Sequence, residues 1–157
     1  MKTADLIDNH ANDLALVHLP FRRFGTRTNF AAQVQTVKCF EDNTEVRAQL
    51  ETPGEGRVLV VDGGASTRIA ILGDILAGLA IKNGWTGLIL NAAIRDSIEI
   101  DQMDTLVFAL GTSPVKSAKE GWGKVGQKIG FGGVTFEPND WVYGDADGVL
   151  LSKEQLV

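Results

Sequence analysis

A layered α/β fold with mixed sheets is what this sequence predicts, on three observations. Short, almost wholly apolar runs, RVLVVD, LILNA and TLVFALG, recur along the middle of the chain. Segments with helical spacing separate them, so the middle reads β-α-β-α-β. Both flanks instead carry alternating or glycine-punctuated runs of strand character. No repeat, linker or low-complexity tract interrupts the 157 residues, and one domain spanning 1–157 is expected.

The elements follow in order. TADLIDNH reads as a short helix with Thr3 as its N-cap, and FRRFGTRTNF as a loop. QVQTVKCF alternates polar and apolar residues, the mark of a half-buried strand. Val46 and Leu50 give EDNTEVRAQLE helical spacing, and TPGEG stops it. RVLVVD is continuously apolar, hence a strand buried on both faces. GGASTR is a glycine turn, followed by a long helical region reaching about Lys82. NGWTG punctuates it, LILNA is the second buried strand, SIEIDQMD a short helix and TLVFALG the third strand. Beyond Pro114 short strands are expected, with turns at Pro138-Asn139 and Asp147-Gly148.

Composition narrows the function. Fifteen Lys and Arg against 20 Asp and Glu give a net charge of −5, which disfavours direct nucleic-acid binding outside a local patch at Arg22, Arg23 and Arg27. The single cysteine, Cys39, permits no intrachain disulfide and reads as a small buried hydrophobe. With two histidines, His10 and His18, zinc of the usual ligand sets is disfavoured, and His18 in LALVHLPF reads as a structural residue. No run approaches a membrane span and no apolar leader precedes the first helix, so a cytoplasmic location is expected. VLVVDGGAS suggests a nucleotide or methyl-donor loop but lacks G-x-G-x-x-G, and two glycines after a strand usually make only a tight turn.

The segment GDILAGLAIKNGWTGLILNAAIRD carries the chemistry. Gly73 interrupts the apolar spacing, so one short helical turn ends there and a new helix starts at Gly73-Asp74. The N–H groups of Asp74, Ile75 and Leu76 are then expected to be unpaired and to face an anion. Arg95 and Asp96, at the end of the next strand, return beside that helix start, where open α/β sheets place ligands. A carboxylate is a hard ligand for Mg²⁺ or Mn²⁺, and a guanidinium fork grips a carboxylate or enolate oxygen. These groups together suit an α-keto acid chelated to a divalent metal. The same residues also admit a purely structural reading, with Asp74 as an N-cap and Arg95 and Asp96 in surface pairs.

VLVVDGGAS, LGDILAGLAIKNGWTGLIL, IRD, FGGVTF and ADGVLLS resemble the regulators of ribonuclease E activity A and the related class II 4-hydroxy-4-methyl-2-oxoglutarate aldolases. The similarity runs from TADLIDNH to the C-terminus. In the aldolase branch the signature is Asp, twenty residues, then Arg-Asp; here these are Asp74, residues 75–94, Arg95 and Asp96. The resemblance implies a swivelling β/β/α fold of the phosphohistidine-domain type, assembled as a homotrimer with sites between subunits. It implies that Gly73, Asp74, Ile75 and Leu76 bind the substrate carboxylate, that Arg95 contacts its keto oxygen and that Asp96 holds the metal. Asp74 is the candidate to orient a water acting as base.

The implied activity is metal-dependent cleavage of 4-hydroxy-4-methyl-2-oxoglutarate to pyruvate, with oxaloacetate decarboxylation as a side activity. The alternative is a non-catalytic regulator that binds and inhibits a ribonuclease E-type endonuclease. Thr26 stands in FGTR where the family has FGGR, and Ala65 and Ala92 stand where it has glycine. The two alanines are expected to add methyl groups near the pocket.

Overall fold

The apolar runs become the centre of a nine-stranded mixed sheet. The computed structural model describes residues 1–157 throughout. From the N-terminus run α1 (Thr3–His10), β1 (Ala15–Leu16), β2 (Arg22–Phe24), β3 (Phe30–Lys38), α2 (Thr44–Leu50), β4 (Val58–Asp62) and β5 (Ala70–Leu72). The middle continues with α3 (Asp74–Lys82), β6 (Gly87–Asn91), β7 (Ala93–Ile94), α4 (Ser97–Asp101), β8 (Val107–Ala109) and β9 (Gly111–Thr112). β10 (Lys124–Val125), β11 (Ile129–Phe131), β12 (Val134–Phe136), β13 (Trp141–Gly144) and β14 (Val149–Ser152) close the chain.

The main sheet has the order β1-β14-β13-β3-β4-β6-β8-β2, with β10 also paired to β3. Its centre, β3-β4-β6-β8, is parallel, and the flanking pairs are antiparallel. Period-2 alternation explains why the central strands are apolar without interruption. Leu59 and Val61 of β4, with Leu88 and Leu90 of β6, face a core shared with α2 and α3. Val58, Val60 and Ile89 face the opposite side, against Phe30, Phe108 and Phe136. The sheet is curled around that second core.

Four local expectations change. FRRF is not all loop: Arg22–Phe24 pair with β8 as an edge strand. Thr3 is not an N-cap but the first helical residue, and its N–H and hydroxyl both donate to the buried Asp145 carboxylate at 2.7 and 2.6 Å. Ala70–Leu72 form a strand rather than a helical turn, because a short apolar run is claimed by whichever neighbour pairs with it. His18 is exposed, with its backbone N–H on the Gly132 carbonyl, and is no core histidine.

β5, β7 and β9 make a second, three-stranded parallel sheet. This small sheet carries the site.

Candidate active site

β5 ends at Leu72, and the Leu72 carbonyl accepts the Arg95 N–H at 2.9 Å. That bond holds the exit of β7 against the exit of β5. Gly73 follows in an extended conformation (φ −123°, ψ −171°), and α3 starts at Asp74. Arg95 and Asp96 then turn back toward this helix start, because Asp96 adopts the left-handed conformation (φ 54°) that Asp tolerates better than most residues. Its carbonyl accepts the Ile100 N–H and so opens α4. Gly73, Asp74, Ile75, Leu76, Arg95 and Asp96 all line one cleft of about 300 Å³.

One detail departs from expectation. The Asp74 N–H is not free, since it donates to Asp96 Oδ2 at 3.0 Å. The N–H groups of Ile75 and Leu76 have no partner within the chain and remain available to an anion. Gly73 is needed for this closeness: a Cβ there would lie 2.8 Å from Asp96 Oδ2.

No group of three or more His, Cys, Asp or Glu side chains is placed to hold a metal by itself. Two carboxylates, Asp74 and Asp96, nevertheless line the cleft, and Asp96 Oδ1 carries no hydrogen bond within the chain. That donor set fits Mg²⁺, which binds one or two carboxylates and takes its other oxygens from water and substrate.

The opposite wall was not anticipated. Lys116 and Lys119 project into the cleft with Arg47, beside Asn43 and Ser117. They carry no periodic signal and come together only through bridges between distant segments, Ala70 with Lys116 and Asp42 with Ala118. The Arg22, Arg23 and Arg27 patch is partly neutralised, with Arg27 on Asp104 at 3.0 Å and Arg22 over the Phe24 ring. Ala65 and Ala92 do not line the cleft; Ala65 sits in the turn after β4, its N–H donating to the Asn91 carbonyl, and Ala92 lies between β6 and β7, packed beside Gly63 of that turn. In that turn the Asp62 carboxylate accepts the N–H of Gly64 and the Asn91 side-chain amide, so the two glycines serve a tight turn. Cys39 is buried, and burial pushes its thiol up to about 12, which suits a packing residue and not a nucleophile.

The fold therefore brings a guanidinium, a carboxylate and unpaired backbone N–H groups together at one helix start. The chain belongs to the RraA-like (Aldolase/RraA) family, whose model matches residues 3–151. A relative from Alkalilimnicola ehrlichii, named as a candidate 4-hydroxy-4-methyl-2-oxoglutarate aldolase, is 48% identical over 155 residues, 99% of this chain and 96% of that one. A Geobacillus kaustophilus structure described as an S-adenosylmethionine:2-dimethylmenaquinone methyltransferase is 49% identical with a TM-score of 0.97, covering 99% of this chain and 97% of that one. The RNA-processing inhibitor RraA from Thermus thermophilus is 40% identical with a TM-score of 0.95, covering 100% and 95%. No helix is long and apolar enough to cross a membrane.

Proposed function

We propose that this protein is a divalent-metal-dependent carbon–carbon lyase that cleaves 4-hydroxy-4-methyl-2-oxoglutarate to pyruvate and decarboxylates oxaloacetate as a side activity. The observation that carries this reading is the convergence of the α3 N-terminus, Arg95 and Asp96 on one cleft. The aldolase names of close relatives agree with it.

Asp96, through its free oxygen, is the residue that would hold Mg²⁺ or Mn²⁺. Bound there, the ion supplies Lewis-acid stabilisation of the enolate charge that both reactions develop. The N–H groups of Ile75 and Leu76 hold the C1 carboxylate at the helix start. Arg95 donates its fork to the keto oxygen and strengthens that grip as negative charge accumulates. Asp74 orients a water that removes the substrate hydroxyl proton in the aldol cleavage. Assembly as a homotrimer belongs to the same reading, and the exposed Trp122 and Phe40 are apolar surface available to a neighbouring copy.

The test is oxaloacetate decarboxylation with Mg²⁺, measured against the rate of Mg²⁺ alone. The lyase reading expects a saturable excess that EDTA abolishes. A rate equal to that background would move the second reading to first place. In that reading the protein binds and inhibits a ribonuclease E-type endonuclease, as the similarity to the Thermus RNA-processing inhibitor suggests.

A further inference from the structure

The cleft has a second charged wall that the chemistry at Arg95 and Asp96 does not use. The segment from Val115 to Ala118 is zipped into the fold on both sides. On one side the Ala70 N–H donates to the Val115 carbonyl at 2.9 Å, and Lys116 bridges Ala70 in parallel register. On the other, the Asn43 N–H reaches Ser117 Oγ at 3.2 Å and the Ala118 N–H reaches the Glu41 carbonyl at 3.0 Å. β5 is thus flanked by β7 on one edge and by Lys116 on the other. The helix start at Gly73 consequently sits between Arg95-Asp96 and the lysine segment. Two strand spacings separate those walls, about 10 Å between backbones.

Charge points the same way. Arg27, Arg47, Arg68, Lys128 and Lys153 all form ion pairs. Lys116 and Lys119 form none, as is also true of Arg22, Arg23 and Arg57 elsewhere, but these two lysines line the same cleft as Arg95, and Lys119 has only a long contact, 3.4 Å, to Asn43 Oδ1. Two unpaired ammonium groups facing one cleft, in a chain of net charge −5, mark a place for a second anionic group.

We propose that Lys116 and Lys119 form the subsite for the far carboxylate of the substrate, and so select dicarboxylic over monocarboxylic 2-keto acids. The proposal rests on the lyase reading above. Lys116 is the better placed of the two, because its backbone is pinned to β5, the strand that delivers Gly73.

Calorimetric binding of 2-oxoglutarate and 2-oxopentanoate in the presence of Mg²⁺ tests it. These ligands have the same carbon chain, neither is cleaved, and only the first has a far carboxylate. Wild type is expected to bind 2-oxoglutarate about 10- to 100-fold more tightly, the range of a charge-assisted contact. Lys116→Gln/Lys119→Gln should bring the two ligands to similar affinity by weakening 2-oxoglutarate alone, and Lys116→Arg/Lys119→Arg should restore the preference. Equal affinity for both ligands in wild type, or a glutamine double variant that keeps the preference, overturns the subsite and leaves the lyase reading standing. Wild type that binds neither keto acid overturns both.

Discussion

The Asp74 N–H and the Asp96 carboxylate meet at 3.0 Å, so the first turn of α3 is capped by a side chain from the far end of the helix-turn-strand unit. Asp96 reaches it only because its own backbone is left-handed and because Gly73 has no side chain. One oxygen of Asp96 thereby fixes the helix start, and the other stays open toward the cleft.

Gly73→Ala follows directly. The Gly73 backbone is ordinary extended chain, so alanine brings no conformational strain, yet its Cβ would lie 2.8 Å from Asp96 Oδ2 and 3.6 Å from Arg95 Nε. Mg²⁺ affinity and kcat/KM are expected to fall about tenfold or more, equivalent to about 1.4 kcal/mol, with little change in Tm. Unchanged titration calorimetry and kinetics would contradict the placement of Asp96.

Arg95→Lys keeps the charge and loses the planar fork. Metal binding should survive while kcat falls sharply, because the oxygen that Arg95 grips carries its full charge only after bond cleavage. A change confined to KM would assign Arg95 to ground-state binding alone.

Ala65 and Ala92 should respond to glycine substitution in opposite directions. Ala65 has φ 62°, a strained conformation costing an L-residue about 1 kcal/mol or more, so Ala65→Gly should stabilise by about 0.5 kcal/mol after the entropy of the freed chain. Ala92 is fully buried beside Gly63, and Ala92→Gly removes a packed methyl and should cost about 1–2 kcal/mol. Urea unfolding of both variants checks the signs.

Acid should release a latch on the loop after β4. The bidentate Arg68 guanidinium, then the Ser66 hydroxyl, hold the Glu41 carboxyl down to about 2, from the usual 4.5. A depressed folded-state value means that this contribution is fully present above about 4.5 and is lost as the pH falls toward about 2. Glu41→Gln should therefore flatten the pH dependence of the urea midpoint within that window and leave its slope above it unaltered.

Much of this was legible in the sequence, for physical reasons that particular residues show. The continuous apolar runs of β4, β6 and β8 mark strands buried on both faces, and the glycine break at residue 73 marks the start of α3. β5 was not legible, because three apolar residues carry no period and only its pairing with β7 makes them a strand. β2 was hidden by two exposed arginines on an edge. The Asp74–Asp96 hydrogen bond depends on one left-handed residue, which spacing does not disclose. The lysine wall is assembled by long-range bridges from polar residues without pattern. Local signals thus located the elements, whereas the cleft's second side needed the tertiary structure.

Pyruvate release from 4-hydroxy-4-methyl-2-oxoglutarate, followed with Mg²⁺ in wild type and in Asp96→Ala, tests the central claim most directly. With Asp96 as the metal-holding carboxylate, wild type should show Mg²⁺-dependent turnover and Asp96→Ala should lose both that turnover and calorimetric Mg²⁺ binding. Wild-type turnover persisting in Asp96→Ala at saturating Mg²⁺ would contradict the account.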